Sequence, residues 1–275
     1  MTKEQERARA KRRYARQQAA ASARAVERRR NGQVAVIVAV VLGIVGAFIL
    51  LSRELRDDTP PAATSSASSG SSASQTASAT PSLAAGCTTP PAAPGTEGKL
   101  SLPEAGDIAA VTGKSVVATI KTTCGPIELT LDGAKAPTTV ASFVQLAQLG
   151  YWKEAPCHRL TRQGIFVLQC GDPTGTGSGN PGYGYGIENA PADGKYPRGT
   201  VAMARTTDPQ SNGGQYFIVY QDSELPTDGG GYSIFGTVTS GMDIVDRIAA
   251  GGVGADRVAP KFPISTLVVT TETKD

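Results

Sequence analysis

The stretch CHRLTRQGIFVLQCGD, Cys157 to Asp172, gathers the groups of this 275-residue chain best placed to do chemistry. It holds the single histidine, His158, with Arg159 beside it, two cysteines, Gln169 and an apolar run. One histidine without HExxH or paired CxxC spacing does not make a zinc site, which needs several nitrogen, sulfur or carboxylate ligands. A Ser-His-Asp triad would need the same histidine, and no G-x-S-x-G accompanies it. Arg159, Phe166, Gln169, Gln215 and Phe217 remain: an arginine, two amides and apolar rings, with no nucleophile and no proton relay. Such a set suits a reaction that makes and breaks no covalent bond, and it calls for no metal and no cofactor.

Two further patterns have to be weighed. GSGNPG, Gly177 to Gly182, has the form G-x-G-x-x-G, but a nucleotide fingerprint must open a helix. Pro181, Gly184 and Gly186 prevent one, so the stretch is read as a glycine-rich loop. Cys87, Cys124, Cys157 and Cys170 are even in number, and four cysteines allow three disulfide connectivities. If Arg159 and Gln169 share a strand face, Cys157 and Cys170 point apart unless a bulge intervenes. A Cys157–Cys170 bridge is therefore not expected, and the other two arrangements stay open.

Strands dominate the elements that must position these groups. SVVATIKTT and PIELTLD read as a hairpin turning at CG. CHRLT and IFVLQCG read as strands joined by RQG, and TVAMA, QYFIVY, SIFGTV and ISTLVVTT as further strands. APTTVASFVQLAQLG reads as a helix, with Pro137 in its first turn, Val140, Phe143, Val144 and Ala147 on one stripe, and Gly150 at its end. MDIVDRIAAGG reads as a second helix ending at glycine. Many strands with short connections predict a mainly β fold, a closed antiparallel barrel with a few helices. The folded unit is expected from about residue 114 to 275, after an approach segment at 87–113.

The N-terminal part is of another kind. Val34 to Leu51 is eighteen residues without a charge, about 27 Å of helix and enough to cross a bilayer. Residues 1–33 carry eleven Lys/Arg and three Glu, leaving 16 Lys/Arg against 21 Asp/Glu in the remainder. By the positive-inside rule the N-terminus is expected in the cytoplasm and the rest outside, in a single-pass cell-membrane protein. No small-residue cleavage pattern follows the span, so an uncleaved anchor is preferred to a signal peptide. The basic tract is read as setting topology and attracting anionic lipid, not as binding nucleic acid. Residues 52–86 are read as a disordered Ser/Ala/Thr/Pro-rich linker; from Thr59 to Gly86 it has no charge and one large aliphatic, Leu83. Nothing suggests more than a monomer.

With these residues in view, three blocks resemble the cyclophilin family in order. CHRLTRQGIFVLQCGD resembles its His-Arg strand followed by F-M-x-Q-G-G-D. AMARTTDPQSNGGQYFIVY resembles S-M-A-N…N-G-S-Q-F-F-I, and YSIFGTVTSGMDIVDRI resembles V-F-G-x-V-x-x-G-M-x-V. Together they span about residues 115–271. The type most similar is a membrane-anchored extracytoplasmic cyclophilin of a high-GC Gram-positive bacterium. The resemblance implies an eight-stranded antiparallel barrel capped by two helices, and peptidyl-prolyl cis-trans isomerase activity on proline-containing polypeptides. It implies Arg159 as the catalytic arginine, with Gln169 orienting it or the substrate. Phe166, Val167, Phe217 and Leu225 would line the proline pocket. Gln215 and the main chain at Ala204 and Arg205 would contact the substrate backbone. This sequence departs from the pattern in four places: Val167 stands for methionine, Arg205 for asparagine and Tyr232 for histidine, and the tryptophan usual before the L-D-G segment is missing. A non-catalytic module that binds Pro-containing segments is the alternative function.

Overall fold

The computed structural model of the protein describes residues 83–95 and 98–274. The apolar span at 34–51, the basic tract before it and most of the linker lie outside the described residues. Among the described residues no helix is long and apolar enough to cross a membrane.

In chain order the elements are α1 (Ala105–Val111), β1 (Ser115–Thr122), β2 (Gly125–Asp132), α2 (Pro137–Gln148), β3 (Arg159–Leu160), β4 (Val167–Cys170), β5 (Lys195–Tyr196), β6 (Thr200–Met203), β7 (Tyr216–Val219), β8 (Ser223–Glu224), β9 (Ile234–Ser240), α3 (Met242–Gly251) and β10 (Thr266–Lys274). Eight strands form one antiparallel sheet in the order β10-β1-β2-β9-β6-β7-β4-β3, while β5 and β8 pair separately. The expected barrel is thus a curled half-barrel sheet, since β10 and β3 share no ladder. The gap is crossed by the chain before β3: Cys157 donates to the Ile264 carbonyl at 2.9 Å and Glu154 to that of Thr266 at 2.7 Å.

Alternation drives the sheet inward. On β1, Val116, Ala118 and Ile120 are buried; on β2, Ile127, Leu129 and Leu131. Residues two apart share a face, so each strand supplies the core with every second side chain. α2 covers this core with Val140, Phe143 and Ala147, as expected, and also with Leu146, whereas Val144 is only half-buried. Phe143 stacks among Trp152, Phe235 and Tyr216, with ring centroids 4.5, 5.5 and 5.9 Å away. The single tryptophan is therefore a core anchor, its indole N–H bonded to the Gly214 carbonyl at 2.9 Å. Ala136 offers α2 no side-chain cap; Glu188 closes that end instead, accepting from the N–H groups of Thr138 and Thr139 at 3.0 and 2.8 Å. A carboxylate there satisfies orphan donors and opposes the helix dipole.

Among the described residues there are three helices, where two were expected for the folded unit. The third, α1, lies in the segment before β1, and that segment is fixed to the folded unit. A Cys87–Cys124 disulfide ties it to the β1–β2 turn. Thr88 donates to the Thr123 carbonyl and Leu100 to that of Pro181, at 2.8 and 2.7 Å. Ala84, at the end of the Ser/Ala-rich stretch, is buried in the core.

The second disulfide corrects the parity argument: Cys157 and Cys170 are bonded, with Cα atoms 3.9 Å apart. The ladder sets Arg159 opposite Gln169 and Leu160 opposite Leu168. Continued regularly, it would set Cys157 opposite Gly171. β3 instead begins only at Arg159, and the His158 N–H also reaches the Gln169 carbonyl, at 3.1 Å. The chain before Arg159 has slipped by one residue, and that brings Cys157 onto Cys170.

Candidate active site

Four short strands lie side by side, and their registers align two rows of side chains. Arg159 on β3 faces Gln169 on β4, Gln169 faces Phe217 on β7, and Phe217 faces Ala202 on β6. The neighbouring row is Leu160, Leu168, Ile218 and Val201. Because successive side chains alternate, the leucine row enters the main core and the arginine row lies on the opposite face. On that face Val167, Ala202, Phe217, Val219, Leu225 and Tyr196 form a second apolar cluster, bordered by Ile165, Ala204, Tyr232 and Ile234. Phe217 is 3% exposed and packs edge-on to Tyr232, with centroids 5.8 Å apart.

Polar groups continue the row as a one-way chain of hydrogen bonds. Arg159 Nη1 donates to Gln169 Oε1 at 3.1 Å. Gln169 Nε2 then donates to Gln215 Oε1 at 2.9 Å. Gln215 Nε2 donates in turn to the Gly177 and Gly179 carbonyls, at 3.0 and 2.8 Å. Each amide has both ends engaged, so neither can flip without losing a bond. The loop that receives the chain is itself pinned by Asp172, whose carboxylate accepts from the N–H groups of Thr174, Gly177 and Gly179 and from the Thr174 hydroxyl. Burial pushes the Asp172 pKa up, but these donors, Thr174 foremost, outweigh it and hold the carboxyl below its ordinary value. Gly171 lets the chain leave β4 towards this loop. Its φ is +92°, and a Cβ there would lie 2.4 Å from the Gly214 carbonyl oxygen.

Of the residues expected at the site, Arg159, Gln169, Gln215, Val167, Phe217, Leu225, Tyr232 and Ala204 are brought to this one face. Gln169, Gln215, Ala204 and Arg205 also line an adjoining cleft of about 490 Å³. Arg205 is folded back: its Nε donates to the Gly231 carbonyl at 2.6 Å and its guanidinium sits 5.0 Å from the Tyr232 ring centroid. Phe166 is not among them. It lies just before β4, and its ring is edge-on to Tyr220 at 6.0 Å. Ile165 takes its place beside the cluster.

Two contributors escaped the sequence. Tyr196 is buried in the cluster, and its hydroxyl donates to the Tyr232 carbonyl at 3.0 Å. Asp172 stood in the opening stretch, but only its five-residue reach to Gly177 reveals its part. His158 is 9% exposed, and neither ring nitrogen has a hydrogen-bond partner among the described residues. No group of three or more His, Cys, Asp or Glu that could hold a metal occurs among the described residues.

The chain is similar to known proteins of one family. The family profile described as cyclophilin type peptidyl-prolyl cis-trans isomerase/CLD matches residues 117–269, more than half of the chain. A probable peptidyl-prolyl cis-trans isomerase B of Mycobacterium leprae is 39% identical over 187 residues, covering 63% of this chain and 62% of the relative. A peptidyl-prolyl cis-trans isomerase of Helicobacter pylori is 37% identical over 142 residues, covering 51% of this chain and 84% of the relative. A crystal structure of a Cryptosporidium parvum cyclophilin type isomerase matches 57% of this chain and 99% of its own, at 28% identity and a TM-score of 0.49. The chain spans about three fifths of the length of the mycobacterial relatives. With the matched segment running from β1 into β10 and taking in the whole arginine row, the chain belongs to the cyclophilin-type peptidyl-prolyl cis-trans isomerase family.

Proposed function

We propose that the chain is a peptidyl-prolyl cis-trans isomerase, anchored by the apolar segment at 34–51 with its N-terminus in the cytoplasm, that acts on X-Pro bonds of exported or cell-surface proteins. One observation carries the catalytic reading: the strand register sets a held guanidinium beside a dry apolar wall. Arg159 and Phe217 lie two strands apart, about 10 Å along the sheet, a span that a prolyl residue and the bond before it can bridge.

The bond resists rotation because amide resonance would be lost, a barrier of about 18–20 kcal/mol. In the twisted transition state the prolyl nitrogen becomes pyramidal and regains a lone pair. A donor aimed at that nitrogen bonds it more strongly there than in the planar ground state, and such differential binding lowers the barrier. Arg159 is the donor. Its charge persists at all relevant pH, and among the described residues Nε and Nη2 carry no hydrogen bond, so both remain to meet the substrate. Phe217, Val167 and Leu225 grip the ring and exclude water, which otherwise favours the planar, more polar amide. Gln169 fixes Arg159 from the side. No cofactor enters.

The test follows X-Pro peptide isomerisation by the full-length chain, with Arg159→Ala beside it. Losing the one donor is expected to lower kcat/KM by about 10²–10³-fold. An unmodified chain no faster than solvent, with peptide binding retained, would instead favour a module that only binds Pro-containing segments. Full activity in Arg159→Ala would remove the arginine from its role. The topology has a separate check: protease added to intact cells should digest the isomerase domain, and complete protection would refute the outward orientation.

A further inference from the structure

The arginine row hangs on a short piece of chain. β3 is two residues long and pairs with β4 through Arg159–Gln169 and Leu160–Leu168, with the flanking His158 and Thr161 N–H groups reaching the Gln169 and Val167 carbonyls at 3.1 and 3.0 Å. It is also an edge strand, held on its other side not by a ladder but by a single hydrogen bond from the Leu160 N–H to the Val258 carbonyl at 2.8 Å. The turn that follows it, Arg162 to Gly164, is exposed. A two-residue edge strand next to an exposed turn opens locally more easily than a long core strand. Yet Arg159 must keep its guanidinium on Gln169 for the rest of the chain of hydrogen bonds to aim it.

The far end of this hairpin is closed covalently. Cys157 lies two residues before Arg159, and Cys170 directly follows Gln169. The cross-link therefore brackets both members of the catalytic pair on the side away from the exposed turn. Cys157 is 7% exposed and Cys170 2%. Exchange with an external thiol needs access to a sulfur, so a bond this enclosed is a fixed part and not a labile switch. The Cys87–Cys124 bond differs: it ties the segment before α1 to the β1–β2 turn and touches no member of the row.

We propose that the Cys157–Cys170 disulfide is a positioning element for the isomerase site, holding β3 against β4 so that Arg159 stays aimed across Gln169. It rests on the reading of Arg159 as the donor. The sulfurs take no part in the reaction; they limit how far β3 can slide or fray. Since displacement of a catalytic group by about 1 Å can cost up to about 10²-fold in rate, a bond that confines the strand acts on turnover.

The experiment compares full-length Cys157→Ala/Cys170→Ala with full-length Cys87→Ala/Cys124→Ala. Near-UV circular dichroism reports the fold, and isomerisation of an Ala-Pro peptide gives kcat and KM. Opening the hairpin bond is expected to lower kcat about tenfold while KM moves less than about threefold. Removing the other bond should leave kcat per folded molecule unchanged. A cycle with Arg159→Ala adds a readout that loss of structure alone would not give. If the bond acts through the arginine, the cysteine changes should cost less than about twofold more once Arg159 is gone. Unchanged kcat, or losses that simply multiply, would overturn the proposal. An inert Arg159→Ala would overturn the donor reading by itself, whatever the cysteines do. If the double alanine variant does not fold, Cys157→Val/Cys170→Ala refills the space. Failure of both to fold also overturns the proposal, because the bond would then serve the fold and not the geometry.

Discussion

The two faces of the strands β3, β4, β7 and β6 are built from adjacent residues, yet they do different work. The row Leu160, Leu168, Ile218 and Val201 is sealed on all sides by core side chains. The row Arg159, Gln169, Phe217 and Ala202, one residue away on each strand, is polar at one end and apolar at the other. Its apolar end is backed by a separate cluster that never merges with the core. On the proposed reading, stability and activity are thus interleaved with a period of two. The fold needs only that the inner row be apolar and well packed, which leaves the outer row open to carry a charge and an amide. A strand that must hold its inner face cannot slip by one without carrying the outer face with it. The core therefore sets the register of the site.

Three changes would test that separation, from the largest expected effect to the smallest. Ile218→Ala opens a cavity in the inner row and should cost about 2–5 kcal/mol of stability. Its kcat/KM per folded molecule should stay at the level of the unmodified chain; denaturant melts and peptide kinetics at the same temperature decide this. A change in KM would mean that the two faces are coupled. Phe217→Leu keeps an apolar side chain on the outer row, so stability should fall by less than about 1.5 kcal/mol. The lost ring contact should raise KM by about tenfold or more. Wild-type KM in this variant would place the proline elsewhere.

The smallest effect concerns His158. Burial lowers its pKa below the ordinary 6.5, against the pull of the Asp172 carboxylate and with Arg159 adding to the lowering. The folded imidazole is neutral at pH 7. As pH falls, the unfolded chain takes up the proton first, so stability is fully present above about pH 6.5 and declines below it towards the folded pKa. The denaturation midpoint should drop between about pH 7 and pH 5, and His158→Gln should flatten that slope. Activity should not follow it: kcat/KM should stay level from about pH 7 to pH 9, because the guanidinium keeps its charge throughout. A rise or fall in that range would point to a titrating group in turnover.

What the sequence made legible was whatever had a period. The alternation in SVVATIKTT and PIELTLD gave the core face of β1 and β2, and Gln169 and Phe217 could be placed because their strands run four residues. The misses lie where a period cannot be established. Extending alternation back from Arg159 to Cys157 assumed a strand that β3 does not have, so the disulfide was misjudged. Tyr196 sits on a two-residue strand paired only to Ser223–Glu224, where parity means little. The half-barrel gap at β10 and β3 and the stitching of residues 84–95 and 98–100 depend on partners distant in sequence. Phe166 lay on a matched motif, but its own ring points to Tyr220.

The one-way hydrogen bonding from Arg159 to the Gly177 and Gly179 carbonyls bears on entropy. A free arginine side chain has about 2 kcal/mol of rotamer entropy to lose when it is ordered. Here that ordering is completed as the chain folds. On the proposed reading of Arg159 as the donor, a substrate arriving at the site meets a group whose direction has already been chosen, and each turnover begins without the disorder that an unheld arginine would bring to it.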